Sequence, residues 1–383
     1  MNDTTGKNKE LRSGFTTGSC AAAASKAAAY LLLTGDAPET VDIMTPKGIV
    51  FRAEILDASR TGDSARCAVR KDGGDDPDVT TGLLIYSEVR LSVEPGVRIR
   101  GGEGVGLVTR PGLDQPVGNH AINSVPRRMI EQEVSEVLEQ MDCAMGADVV
   151  ISIPGGRETA LKTFNPRLGI EGGISVIGTS GVVEPMSVEA LIDTIKVELR
   201  QRRAEGEELI SIAPGIYGLN FMKKEYGFDL DRSVKISNFV GAACDEIVKL
   251  GFRKMLLAGH AGKLVKVAGG IMNTHSHEAD SRMEIIAASA FRAGASRDII
   301  EKVLDSNTTE EAFGYLAGAG LARQVSDLLV KRAAYYLDKR MGGEVEVECV
   351  MFVNDMGLLG CTPGAGKLIE EIKEQWKEQK SGS

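Results

Sequence analysis

The densest concentration of chemistry-bearing side chains lies in AGHAGKLVKVAGGIMNTHSHEAD. It holds three of the four histidines, His260, His275 and His277, with Lys263, Lys266 and Asp280. A histidine that follows an apolar run can act as acid, base or anion donor, or simply fix its own loop. His-x-His without further ligands at zinc spacing does not make a zinc centre, so no protein-held metal is expected. The loop GHAGK lacks phosphate-loop spacing because Leu264 follows the lysine. A second cluster, RKDGGDDPDVTTG, sets Asp72, Asp75, Asp76 and Asp78 in a loop that glycine and proline keep from being helix or strand. A calcium loop of the EF-hand type would need glycine where Pro77 stands, so calcium is not indicated. Such carboxylates either fix a solvated turn through their own hydrogen bonds or serve as a general base, with Asp75, Asp76 and Asp78 the candidates beside His260.

A third stretch, LRSGFTTGSCAAAASKAAAYLLLTG, puts Thr16, Thr17, Gly18 and Ser19 before a helix made almost wholly of alanine. The first amides of a helix lack internal partners and carry partial positive charge, so this is either an anion seat or a capped helix packed tightly on a sheet. GGEGVGLVTRPG fails the dinucleotide test, since no helix follows its glycines. GNHAINSVPRRMI adds His120, Arg127 and Arg128, and KTFNPRLGIEGGISVIGTSG adds Lys162 and Arg167. Arginine forks and lysines suit carboxylates, so Thr16, Thr17, Ser19, Arg127, Lys162, Arg167 and Lys263 are the candidates for holding an anionic substrate. Gly178, Thr179, Ser180, Gly181, Pro214, Gly215, Gly259 and Gly262 lie in turns that follow apolar runs, where a nucleoside can approach the backbone closely, and are the candidates for a cofactor. Which set holds which ligand stays open.

These loops need a scaffold. Ala21 to Leu33 reads as a helix stopped at Gly35, and TVDIM, IVFRAEIL, SARCAVRK and LLIYSEVRLSVE read as strands. A helix from about Pro126 to Met141 and the strand ADVVISIPGG complete an N-terminal α+β domain, residues 1–165, with a mixed or antiparallel sheet packed with helices. From 166 to 383 the pattern becomes α/β. GISVIGTSG, ELISIAPGIYG, SVKISNFVG and RKMLLAGHAGK alternate with helices and each ends in a glycine-bearing loop, as strands of a largely parallel sheet do. Residues 280–340 read as helical, EVEVECVMFVND as a late strand, and PGAGKLIEEIKEQWKEQK as a charged terminal helix that frays.

Composition bounds what such a protein does. The net charge of −9 argues against nucleic acid and anionic membrane as partners. Six cysteines without CxxC spacing fit reduced thiols in a cytoplasmic protein. The apolar run from Ala21 to Leu33, interrupted by Lys26, is shorter than the ~20 residues a membrane span needs. Glycine-rich loops bearing Arg, Lys and His on an acidic chain suit a polyanionic small molecule. A homo-oligomer is compatible with the sequence.

RSGFTTGSCAAAASKAA, KDGGDDPDVTTG, GEGVGLVTRPG, AINSVPR, KTFNPRLGIEGGISVIGTSGVVEPMS and GHAGKLVKVAGGIMNTHS resemble, in order, the motifs of the cobalt-precorrin-5B C(1)-methyltransferases of anaerobic cobalamin biosynthesis. The resemblance implies methyl transfer from S-adenosylmethionine to ring carbon C-1 of a corrin intermediate, with cobalt present only as part of that substrate. The acetate and propionate arms of such a ring fit the polyanion site read from the loops. The chain departs from the family pattern at Thr81, where a histidine is common, and at His120 in PVGNHAINSVPR. Two other readings remain beside it: a tetrapyrrole carrier that binds without reacting, and a small-molecule kinase.

Overall fold

A computed structural model describes residues 11–228, 232–354 and 356–381, which form two compact units meeting in sequence at Val188 and Glu189. Both match the expected classes, a mixed α+β unit followed by an α/β unit with a largely parallel sheet.

In the first unit, strands Leu56–Thr61, Ser64–Arg70, Leu84–Ser92, Gly146–Ser152 and Val97–Gly101 lie in that spatial order. All neighbours are antiparallel except the last pair, which is parallel. The alanine helix, Thr17–Thr34, is capped by Thr16 and stopped by Gly35 at φ +87°, whose amide donates to Leu31 O. It packs on strands Ser64–Arg70 and Leu84–Ser92 and on helix Ser124–Gln140. Ala21, Ala22, Ala23, Ala24, Ala27 and Ala28 have no exposed surface. A helix covered on several sides reads as apolar all round, and methyl side chains are what let its neighbours come close. Midway along it Ser25 makes a buried polar tie: its hydroxyl donates to Ala21 O and meets Ser87 Oγ, both at 2.8 Å.

The second unit is built on strands Val234–Lys235, Leu209–Ala213, Lys254–His260, Glu346–Val353 and Gly357–Cys361 in that order, the first four parallel and the last antiparallel. Parallel order brings Ala213, Lys235 and His260 to one edge, the carboxyl end of the sheet. The helical stretch after residue 280 is present as Arg282–Arg292, Arg297–Leu304, Thr309–Gly318 and Ala322–Met341.

Two expectations fail on physical grounds. GISVIGTSG is not the first strand of the second sheet. It lies in the first unit, bridging Val105 through Ile174 and Ile122 through Val176. Gly173 sits on the backbone of Gly104, where an added Cβ would come within 2.2 Å of Gly104 O. Residues 166–188 therefore belong with the first unit, where Ile170–Glu171 pairs with Leu107–Val108 and Val182–Val183 pairs with Gly14–Phe15. Nor is the terminal helix, Ala365–Ser381, a frayed end. Leu368, Ile369, Ile372 and Trp376 are buried on one stripe, and Gln375 accepts the amides of Glu208 and Leu209 and donates back to Leu209 O. Its many charges occupy the opposite face and mask that stripe in composition.

Candidate active site

In the first unit three segments cross at the start of the alanine helix. Strand Gly14–Phe15 is flanked on one side by Val182–Val183 and on the other by the acidic loop, through Phe15 N to Asp72 O at 2.8 Å and Asp75 N to Arg12 O at 2.9 Å. Glycine is required at this crossing: a Cβ on Gly74, at φ +69°, would lie 2.1 Å from Arg12 O.

The four aspartates are committed to the same knot. Asp72 accepts from both terminal guanidinium nitrogens of Arg12 at 2.6 and 2.9 Å, which holds its carboxyl below the usual carboxylate value. Asp75 accepts the Arg12 amide at 2.8 Å and Asp76 the Met186 amide at 3.0 Å. Asp78 accepts the amide and hydroxyl of Thr80 and pairs with Lys71, which is 3% exposed. Burial alone would raise the Asp78 carboxyl, but the hydrogen bonds from Lys71 and Thr80 outweigh it and hold it low. Thr81, where the family pattern favours histidine, lies with its hydroxyl over Gly73. His120 lies instead against Gly101, and burial, followed by repulsion from Arg127, holds its imidazole below the ordinary value.

The amino end of the alanine helix is sealed by the protein itself. Gly18 N donates to Ile177 O at 3.0 Å, Ser19 N to Thr16 Oγ1 at 3.2 Å, and Ser19 Oγ to Gly181 O at 2.7 Å. Thr16, Thr17 and Ser19 are buried, and the turn Gly178–Gly181 rests directly on them. The glycines there are explained by packing: a Cβ on Gly178 would be 2.1 Å from Thr16 Oγ1, and one on Gly181 2.8 Å from Thr45 Cβ. Thr179 is exposed, and Ser180 Oγ donates to Val182 O at 2.9 Å. Arg127 spends Nε on Ile122 O and Nη1 on Ile99 O. Lys162 is exposed and Arg167 half-buried in the segment that leads to strand Ile170–Glu171.

In the second unit Pro214, Gly215, Gly259, His260, Gly262 and Lys263 gather at the carboxyl edge of the sheet. His260 caps helix Ala261–Ala268: its Nδ1 accepts the Gly262 amide at 3.2 Å, which leaves the neutral ring's proton on Nε2, 3.0 Å from Glu310 Oε1. Burial holds this imidazole below its ordinary value against the pull of Glu310. Gly259 is explained by packing on Leu264 and Pro214, whereas over Gly215, at φ +116°, the neighbour within 4 Å among the described residues is Lys263 Nζ, 3.7 Å from where a Cβ would be. Sequence reasoning missed Lys235, which closes strand Val234–Lys235 at this edge; its place at the end of the run SVK was the available signal. Lys266 is buried and donates to Thr274 O and Ala279 O, tying down the loop that bears His275 and His277. Those two rings are exposed, and among the described residues no group of three or more His, Cys, Asp or Glu is arranged to hold a metal ion. No helix among them is long and apolar enough to cross a membrane.

Residues 4–185 match the CbiD family and residues 273–363 the CbiD C-terminal domain, and the chain belongs to that family. A relative from Alkaliphilus metalliredigens (strain QYMF) is 47% identical over 96% of both chains. Another, from Thermoanaerobacter sp. (strain X514), is 49% identical over 89% of this chain and 93% of its own. Both are named cobalt-precorrin-5B C(1)-methyltransferase. A solved structure of a cobalamin biosynthesis protein from Archaeoglobus fulgidus is 26% identical, covering 74% of this chain and 85% of that one with a TM-score of 0.37.

Proposed function

We infer that this chain is a methyltransferase that methylates C-1 of cobalt-precorrin-5B to give cobalt-precorrin-6A, with S-adenosylmethionine as donor and cobalt carried by the substrate. The observation that carries the reading is near full-length identity of 47% to a relative of that name. The carrier and kinase alternatives gain no support from the relatives' name. A cytoplasmic location is part of the same reading, supported by six free cysteines.

The donor brings a sulfonium methyl, and the protein's task is to hold the ring carbon about 3 Å from it and in line, which alone can supply several kcal/mol of the barrier. No covalent nucleophile is needed. Burial pushes the thiol of Cys67 up to about 11 and those of Cys20 and Cys244 up to about 12, so none of these three is a thiolate at neutral pH. For the donor we favour Pro214, Gly215, Gly259 and Gly262, because the neighbour over Gly215 is the ammonium of Lys263, a cation that fits the donor's carboxylate. For the macrocycle we favour exposed Lys162 and half-buried Arg167, with Thr16, Thr17 and Ser19 holding the turn Gly178–Gly181 in place. Among the candidate bases, Asp78 is locked by Lys71 and Thr80, and His260 is set to donate from Nε2. Asp75 and Asp76, each engaged by one backbone amide, remain the carboxylate candidates for the base.

Incubating the purified protein with cobalt-precorrin-5B and S-adenosylmethionine should add one methyl to the macrocycle, read by mass spectrometry. Tight binding of the macrocycle with no gain in mass would instead make the protein a carrier.

A further inference from the structure

We propose that Lys263, standing over the glycine turn Pro214–Gly215, and Lys235, in register with Ala213 at the end of the neighbouring strand, form a pocket for a carboxylate at the carboxyl edge of the second unit's sheet. The choice of carboxylate over other anions rests on the methyltransferase reading, since both the macrocycle's side arms and the donor's amino-acid end carry that group.

The strand Lys254–His260 offers its own control. At its amino end Lys254 lies between two glutamates, 2.9 Å from Glu371 and 3.3 Å from Glu346. At its carboxyl end, among the described residues, no carboxylate pairs with Lys235 or Lys263. Lys263 Nζ donates to Ser237 O at 3.4 Å, long for such a bond. Burial, then repulsion from Lys235 and Lys266, works against its positive charge. The ammonium also stands at Gly215, the cap of helix Ile216–Tyr226, where the peptide dipoles present positive charge and the first turn has no acidic residue. A half-buried cation facing two others and a helix amino end gains from an incoming anion what the protein withholds. Ile216 and Tyr217, 49% and 63% exposed on the first turn, lay apolar surface alongside, as a ligand with an apolar body and a carboxylate arm requires.

The test uses Lys235→Met and Lys263→Met in the full chain, with two probes: coproporphyrin I, a tetracarboxylated ring followed by fluorescence, and S-adenosylmethionine followed by calorimetry. Each substitution should weaken one probe about tenfold, the effect of losing a charge-assisted hydrogen bond. The melting temperature of unliganded Lys263→Met should stay level or rise, because the removed charge had no carboxylate to balance it and only one long hydrogen bond, to Ser237 O. Weakening confined to the porphyrin assigns the pocket to the macrocycle, and weakening confined to S-adenosylmethionine assigns it to the donor. Unchanged affinity for both probes in both variants overturns the proposal. Lys235 is exposed, so its variant remains interpretable should Lys263→Met unfold. Wild-type protein that binds a probe in a lysine-dependent way yet transfers no methyl to cobalt-precorrin-5B would keep the pocket and sink the methyltransferase reading. Methyl transfer with both lysines silent would do the reverse.

Discussion

Lys71 in the first unit and Lys263 in the second are opposite solutions to a lysine taken out of water. Lys71 is the more deeply buried, but Asp78 meets it and Thr80 holds Asp78 in turn. Lys263 is less buried and has neighbours of its own sign. The first arrangement is complete without a ligand and reads as architecture. The second leaves charge unanswered, and unanswered charge at the carboxyl edge of a parallel sheet is where a ligand does most for the protein. The acidic, glycine-rich loop is thus tied to Arg12, Met186 and Lys71, whereas no carboxylate among the described residues pairs with the two lysines at the second sheet's edge.

The contrast can be broken most forcefully at Asp78. Asp78→Ala strands Lys71 in the interior and should cost about 3 kcal/mol in urea unfolding; a loss too small to resolve would mean the pair is no clamp. Gly74→Ala comes next, at about 2 kcal/mol, since its Cβ would meet Arg12 O at a positive φ. A smaller effect comes with acid. Asp72 and Asp78 have lowered carboxyl values, so their stabilisation is fully present above the unfolded value of about 4 and is lost as pH falls through the folded ones. Urea midpoints should therefore drop in that window for the wild type and drop less for Asp72→Asn. At the small end, Arg297→Ala removes a surface pair with Glu301 in which Arg297 is 92% exposed, and the midpoint should stay within measurement error. A resolvable shift there would show that exposed pairs count in this chain and would blur the distinction between answered and unanswered charge.

Much of the fold was legible. The strands from 40 to 92, the helix near 126–141 and the parallel order of the second sheet followed from periodicity and from glycine at strand ends. The segment Gly173–Gly181 misled because an apolar run flanked by glycines looks the same whether it joins a sheet or lies across another backbone; Gly104, far away in sequence, decides the matter. The terminal helix misled because Leu368, Ile369, Ile372 and Trp376 lie on one stripe among many charges. At the candidate site, the partners of several singled-out residues lie far away in sequence. Arg127 spends its guanidinium on two carbonyls, and the amides at Gly18 and Ser19 find acceptors within the chain, partners that no local spacing announces. Lys235 was missed because a lone lysine closing a two-residue strand is a weak signal; only the pairing of Lys235 with Ala213 brings it to the carboxyl edge of the sheet.

The alanine helix acts as a shim. Its methyl groups set how closely the sheet and helix Ser124–Gln140 each approach it, and its first turn carries the Gly178–Gly181 turn. Longer side chains along it would lift sheet and turn together, so this corner can be retuned only from the turn outward.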